Sequence, residues 1–155
     1  MNEKVAKKIG EAYAFAHVLS DTFTENTEVM TMIFGDHASH IIEATQSQRM
    51  DLKSVVEKHE MTEMVLEKAE RTGSKISGMG QTYVGDDWDD AAEVLEWMSF
   101  FVGGAIVHWQ LITGSAKEMN DGEFENLAQK GTDYYTGLME QLRNFAVTIG
   151  KQRAQ

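Results

Sequence analysis

A chain of 155 residues, 42% hydrophobic and 25% charged, has the composition of one folded domain that buries about two-thirds of its unfolded surface. Its formal charge of −11 speaks against nucleic acid and against an anionic membrane surface as partners, because both repel an acidic protein. There is no cysteine, which excludes disulfides, thiolate chemistry and cysteine-ligated metals, and no proline, which removes the strongest helix breaker. The lack of cysteine and of an apolar run after Met1 suits a cytoplasmic location.

The first element spans about 2–34. Val5, Ile9, Ala12, Ala16 and Leu19 recur at helical spacing, and Val29, Met30, Ile33 and Phe34 resume the pattern. Between them, Ser20 to Thr27 is rich in side chains that compete for backbone hydrogen bonds, so the segment reads as one bent helix or two collinear ones. Gly35 and Asp36 read as a stop and an N-cap.

A second helix is expected over about 36–72, on Ile41, Ala44, Leu52, Val55, Val56 and Leu66. Lys68 and Arg71 suit a C-terminal turn, and Gly73 suits a stop. Residues 73–86 read as a long loop, on Gly73, Gly78, Gly80, Gly85, Ser74 and Ser77.

Asp86, Asp87, Asp89 and Asp90 open a third helix over about 87–118, with Leu95, Met98, Val102, Ala105, Trp109 and Ile112 on its stripe. The apolar run from Val94 to Ile112 holds Glu96, Ser99, His108 and Gln110, which suits a bundle helix better than a membrane span. Asn120 to Glu123 resembles a capping box. The fourth helix, about 121–151, carries Phe124, Leu127, Gly131, Tyr134, Leu138, Leu142, Phe145 and Ile149. Gly131 and the Gly103–Gly104 pair would let backbones approach closely.

The expected fold is therefore all-α: a single domain, residues 1–155, built as an antiparallel up-and-down bundle of four long helices. Reach favours the up-down-up-down order. Fourteen extended residues span at most about 50 Å, whereas an unbroken helix over 36–72 is about 55 Å long. If the loop did cross the bundle, His17, His59 and His108 would fall level, with Glu11 and Glu63 close in height.

Chemistry in the sequence rests on histidine. His59 shares a stripe with Leu52, Val55, Val56 and Leu66, and Glu63 follows it by four. His108 lies seven after Phe101 and four before Ile112, and His17 lies four after Tyr13. An unpaired buried polar group costs roughly 1–3 kcal/mol, so these side chains need partners. One reading gathers His17, His59, Glu63 and His108 around iron, manganese or zinc. The preferred reading is core histidines satisfied by backbone, water or neighbouring acids, with no metal, cofactor or catalytic residue assigned. His37-x-x-His40 with Glu43 reads as polar surface near a cap, and Glu57, Glu60, Glu63, Glu67 and Glu70 as a solvated face.

In length and helix number the chain resembles the ferritin-like superfamily, whose signature is Glu-x-x-His on two helices. Here Ala14, Phe34, His37, Val56 and Ala105 stand three residues before the five histidines, so the resemblance carries no site residues across. It implies a metal-binding protein with oxidase or storage chemistry as the alternative function. No phosphate-binding loop, dinucleotide motif or His-Glu-x-x-His run occurs, and Gly78-Met79-Gly80 leads into aspartates that would repel phosphate.

Trp88, Trp97, Trp109, Phe100, Phe101, Tyr134, Tyr135 and ten methionines supply apolar surface. Leu95, Trp97, Phe100, Phe101 and Val107 place it on more than one side of the third helix, beyond what one bundle stripe requires. The expectation is a homodimer with this helix at its interface, acting by assembly or by binding an apolar small molecule rather than by catalysis.

Overall fold

The computed structural model describes all 155 residues, and every element is helical: α1 (Glu3–Glu25), α2 (Thr27–Phe34), α3 (His37–Glu57), α4 (Thr62–Val84), α5 (Ala91–Met119) and α6 (Gly122–Arg153). The break after α1 falls in the polar stretch. Thr22, Thr24, Asn26 and Thr27 donate back to carbonyls three or four residues earlier, offering the backbone an alternative to a continuous helix. Gly35, at φ +55°, ends α2, but the Asp36 side chain makes no capping bond.

The expected second helix and its loop are corrected. The chain leaves α3 at Glu57, where Glu60 adopts φ +55° and the Met61 N–H donates to the Val56 carbonyl at 3.1 Å. This is the left-handed helix stop usually made by glycine, here made by glutamate. Residues 73–84, expected as loop, form the second half of α4. Its buried residues Val65, Ala69, Gly73, Ile76, Gly80 and Val84 keep one helical stripe straight through the glycines.

Helix directions follow from facing residues. Met1 lies by His59 and Arg49 by His17, so α1 and α3 are antiparallel. Gly10 faces Val65 and Lys68 while Val18 faces Gly73, so α4 runs parallel to α1. Phe15 meets Phe101 and Glu11 meets His108, so α5 opposes α1. Lys58 pairs with Glu123, and Tyr135 donates to Gln48, so α6 opposes α3. Trp109 over Gly131 and Arg153 on Asp90 set α6 antiparallel to α5.

Thus α3 and α5 descend together, and the up-down-up-down order is replaced. The crossing that looked out of reach is made by α4. Because α3 has only 21 residues, about 32 Å, a 23-residue helix of about 35 Å returns the chain along its length. Helices α1, α3, α6 and α5 pack in a closed circuit, and α4 lies against α1 with an edge on α5. One core of 33 buried residues draws on all six helices.

Close approach is built from small residues. A Cβ at Gly10 would stand 2.7 Å from the Val65 carbonyl, and one at Gly131 would overlap the Trp109 indole. Asn120, at φ +53°, closes α5, and Asp121, one residue later than the expected cap, accepts from the Phe124 N–H at 3.0 Å. No helix is long and apolar enough to cross a membrane.

Candidate functional site

Two places combine unusual chemistry with a defined position. The first is the outer face of α5. Asp90 caps this helix by accepting from the Ala92 N–H at 2.8 Å. Val94, Met98, Val102, Ala105, Trp109 and Ile112 then point inward and are fully buried. The opposite side carries Phe100, Val107 and Leu111, which are 62%, 53% and 50% exposed. From Trp97 to Ala116 there is no Asp, Glu, Lys or Arg.

Helix α4 accounts for part of the apolar surplus. It covers Trp97, whose ring edge lies where a Cβ at Gly80 would come within 3.0 Å. Leu95, Trp97 and Phe101 are buried within one chain, whereas Phe100 and Val107 are not. Tyr83 of α4 stands edge-on to Phe100 at 5.3 Å and donates to the Glu96 carboxylate at 3.0 Å, a bond that raises its phenol pKa. Lys75, Met79, Tyr83, Trp97 and Phe100 line an open groove of about 890 Å³ at this edge.

The second place lies where α1, α4 and α5 meet. The Glu11 side chain is 13% exposed and receives Lys8 at 2.6 Å, Lys68 at 3.0 Å and His108 Nε2 at 3.0 Å. The other ring nitrogen, Nδ1, donates to the Gly104 carbonyl at 2.8 Å, since a carbonyl can only accept. Burial pushes the Glu11 pKa up, but hydrogen bonds and charge from Lys8 and Lys68 outweigh it and hold the carboxyl below its usual value. Every charge in this cluster has a partner, so it acts as a strut between three helices.

The four residues considered as metal ligands do not come together. His108 binds Glu11; His17, about half exposed, sits between Arg49 Nη1 at 3.2 Å and Asp21 at 3.5 Å. His59 lies in the turn after α3, 3.4 Å from the Met1 amino group, and Glu63 is exposed in the first turn of α4. No group of three or more His, Asp or Glu side chains converges to hold a metal ion, so this donor set does not fit iron, manganese or zinc. His37 and His40 are exposed, as expected of surface, and edge a cavity of about 310 Å³ with Asp133 and Tyr134.

In the sequence Lys8 has no assigned role, and Lys68 reads as part of a C-terminal turn. Lys8 stands three residues before Glu11 on the same helix, within local reach, whereas Lys68 reaches that carboxylate only through the parallel packing of α4 on α1. Burial also pushes the Tyr134 pKa up to about 12. No family model matches this chain, and no curated protein or solved structure matches it either.

Proposed function

We propose that this chain is a non-catalytic helical module that works by associating with a second copy of itself through the outer face of α5. The observation that carries this reading is the exposure of Phe100, Val107 and Leu111 on a 20-residue stretch without Asp, Glu, Lys or Arg, in a protein of net charge −11. Contiguous apolar surface of this kind marks an interaction site rather than ordinary solvated helix. The surrounding charge also selects the place. Two copies repel over most of their surface, and the middle of this strip is where they can approach without setting carboxylates against each other.

The test is the mass in solution. Light scattering at micromolar concentration is expected to give twice the 17.4 kDa chain mass. Val107→Arg is expected to give the single-chain mass with an unchanged helical circular-dichroism spectrum. A wild-type monomer throughout the micromolar range would remove the proposal.

The ferritin-like alternative keeps one supporting observation. A single long crossover between the second and third bundle helices is a connection such folds use, and α4 makes a crossing of that kind. The scattered donors weigh against it. Elemental analysis of protein purified without chelator separates the two readings, with stoichiometric iron, manganese or zinc favouring the alternative.

A further inference from the structure

The exposed face of α5 has a pattern that a featureless apolar patch would lack. At 100° per residue, Phe100, Gly103, Leu111 and Gly114 all lie within about 40° of Val107 around the helix. Their numbers are symmetric about 107. Phe100 and Gly114 stand seven residues to either side, and Gly103 and Leu111 stand four. In each pair one side chain is large and the other is a bare glycine.

We infer that two copies pair α5 against α5 in antiparallel register about a two-fold axis through Val107. Phe100 then packs over the partner's Gly114, and Leu111 packs over the partner's Gly103. This inference rests on the self-association reading and adds its geometry. A two-fold contact must be self-complementary, with each residue meeting its counterpart twice. The large-to-glycine alternation satisfies that condition only in this register.

The glycines are available for the role. A Cβ at Gly114 would meet nothing within 4 Å inside the chain, so nothing in the monomer explains its place in a long helix. At Gly103 the nearest atom would be the Met139 methyl at 3.7 Å, which is ordinary contact. Each glycine opens a notch that a facing ring or isobutyl group can enter, bringing the two backbones close.

Area and charge agree with a second copy as occupant. Trp97 to Ala116 spans about 30 Å. With Met79 and Tyr83 of α4 on one flank and Met139 of α6 on the other, ordinary helix spacing makes the face about 25 Å wide. That is about 750 Å² per copy, close to the ~800 Å² of a standard stable interface. Glu96 and Glu118 bound the strip and, in this register, each Glu96 faces the partner's Glu118, so the only like-charge contacts along α5 fall at its two rims, where water screens them.

The chain has no cysteine, so single substitutions report the register directly. Val107→Cys is expected to form a covalent dimer with itself on mild oxidation with diamide. Phe100→Cys alone and Gly114→Cys alone are expected to remain uncrosslinked, because each lies about 21 Å along the axis from its own copy, far beyond the ~4.4–6.8 Å between α-carbons that a disulfide allows. An equimolar mixture of those two variants is expected to crosslink. If wild type is dimeric but Phe100→Cys links to itself and Val107→Cys does not, the register is overturned while self-association stands. If wild type is monomeric and no variant links, both fall.

Discussion

Gly131 in α6 and Gly78 in α4 both interrupt the middle of a long helix, where glycine costs about 1 kcal/mol relative to alanine. Their surroundings differ completely. Over Gly131 lies the indole of Trp109, itself 1% exposed, filling the space a Cβ would need. Around Gly78 there is open solvent. The same residue is a structural necessity on the α5–α6 pair and a removable weakness on α4. Within the chain, a mid-helix glycine is required for packing only where a neighbouring helix occupies the space its Cβ would need, as at Gly131 and Gly10.

Breaking that contrast at its strong end should give the largest effect. Gly131→Ala forces the Trp109 ring out of its seat, and overpacking of this kind costs about 3 kcal/mol. Chemical denaturation should show the unfolding free energy falling by that amount, with the Trp109 fluorescence of the native state altered. A change below roughly 0.5 kcal/mol, the range of neutral surface substitutions, would mean that the indole has room to move and that the contrast with Gly78 is only apparent.

The polar strut on the α1–α4–α5 junction sharpens the comparison in another currency. Glu11→Gln removes the charge that Lys8, Lys68 and His108 share, leaving cations facing a neutral amide. The site is partly hydrated at its lysines, so roughly 2 kcal/mol is expected rather than the larger loss of a fully buried pair. The pH dependence has a definite sign. A carboxyl held below its ordinary value of 4.5 contributes fully above that value and loses its contribution as the pH falls through the lower native value. Thermal unfolding of wild type and Glu11→Gln should therefore differ most near neutrality and converge in acid. A gap that stays constant down to pH 3 would count against the ion pairs as its cause.

These two sites also show what the sequence made legible. Stripe, cap and stop signals all agree on α5 and α6, and their boundaries fall within four residues of expectation. Gly131 was readable because it sits on a clean apolar stripe. On α3 and α4 the local signals mislead. Glu60 takes a conformation that sequence associates with glycine, so the helix stop is unmarked, while four glycines suggest a loop where packing against α1 and Trp97 sustains a helix. The topology followed from that error, since a shorter α3 is what makes the crossing possible. Of the candidate chemistry, the histidine positions were legible but not their partners, which depend on which helices become neighbours.

Glu60 offers a smaller perturbation on the misread side. A β-carbon at φ +55° is crowded against the backbone, a penalty of about 1 kcal/mol that glycine does not bear. Glu60→Gly should raise stability by about that amount in urea unfolding, leaving the slope of the transition unchanged. Loss of stability instead would show that the Glu60 side chain supports the turn between α3 and α4.

The weak end of the glycine comparison gives the smallest effect and the cleanest control. Gly78→Ala adds a methyl group that meets nothing, and it restricts the unfolded chain while improving helix propensity. The expected gain is about 0.7 kcal/mol, or roughly 2–3 °C in the unfolding midpoint for a chain of this size. Gly80→Ala, two residues on, has the same propensity gain but sets its methyl 3.0 Å from the Trp97 ring, so it should gain less or lose outright. The order of these two variants is the informative result. If Gly80→Ala proved the more stable, Trp97 would not be seated against α4 as described, and the apolar groove beside Phe100 would need a different wall.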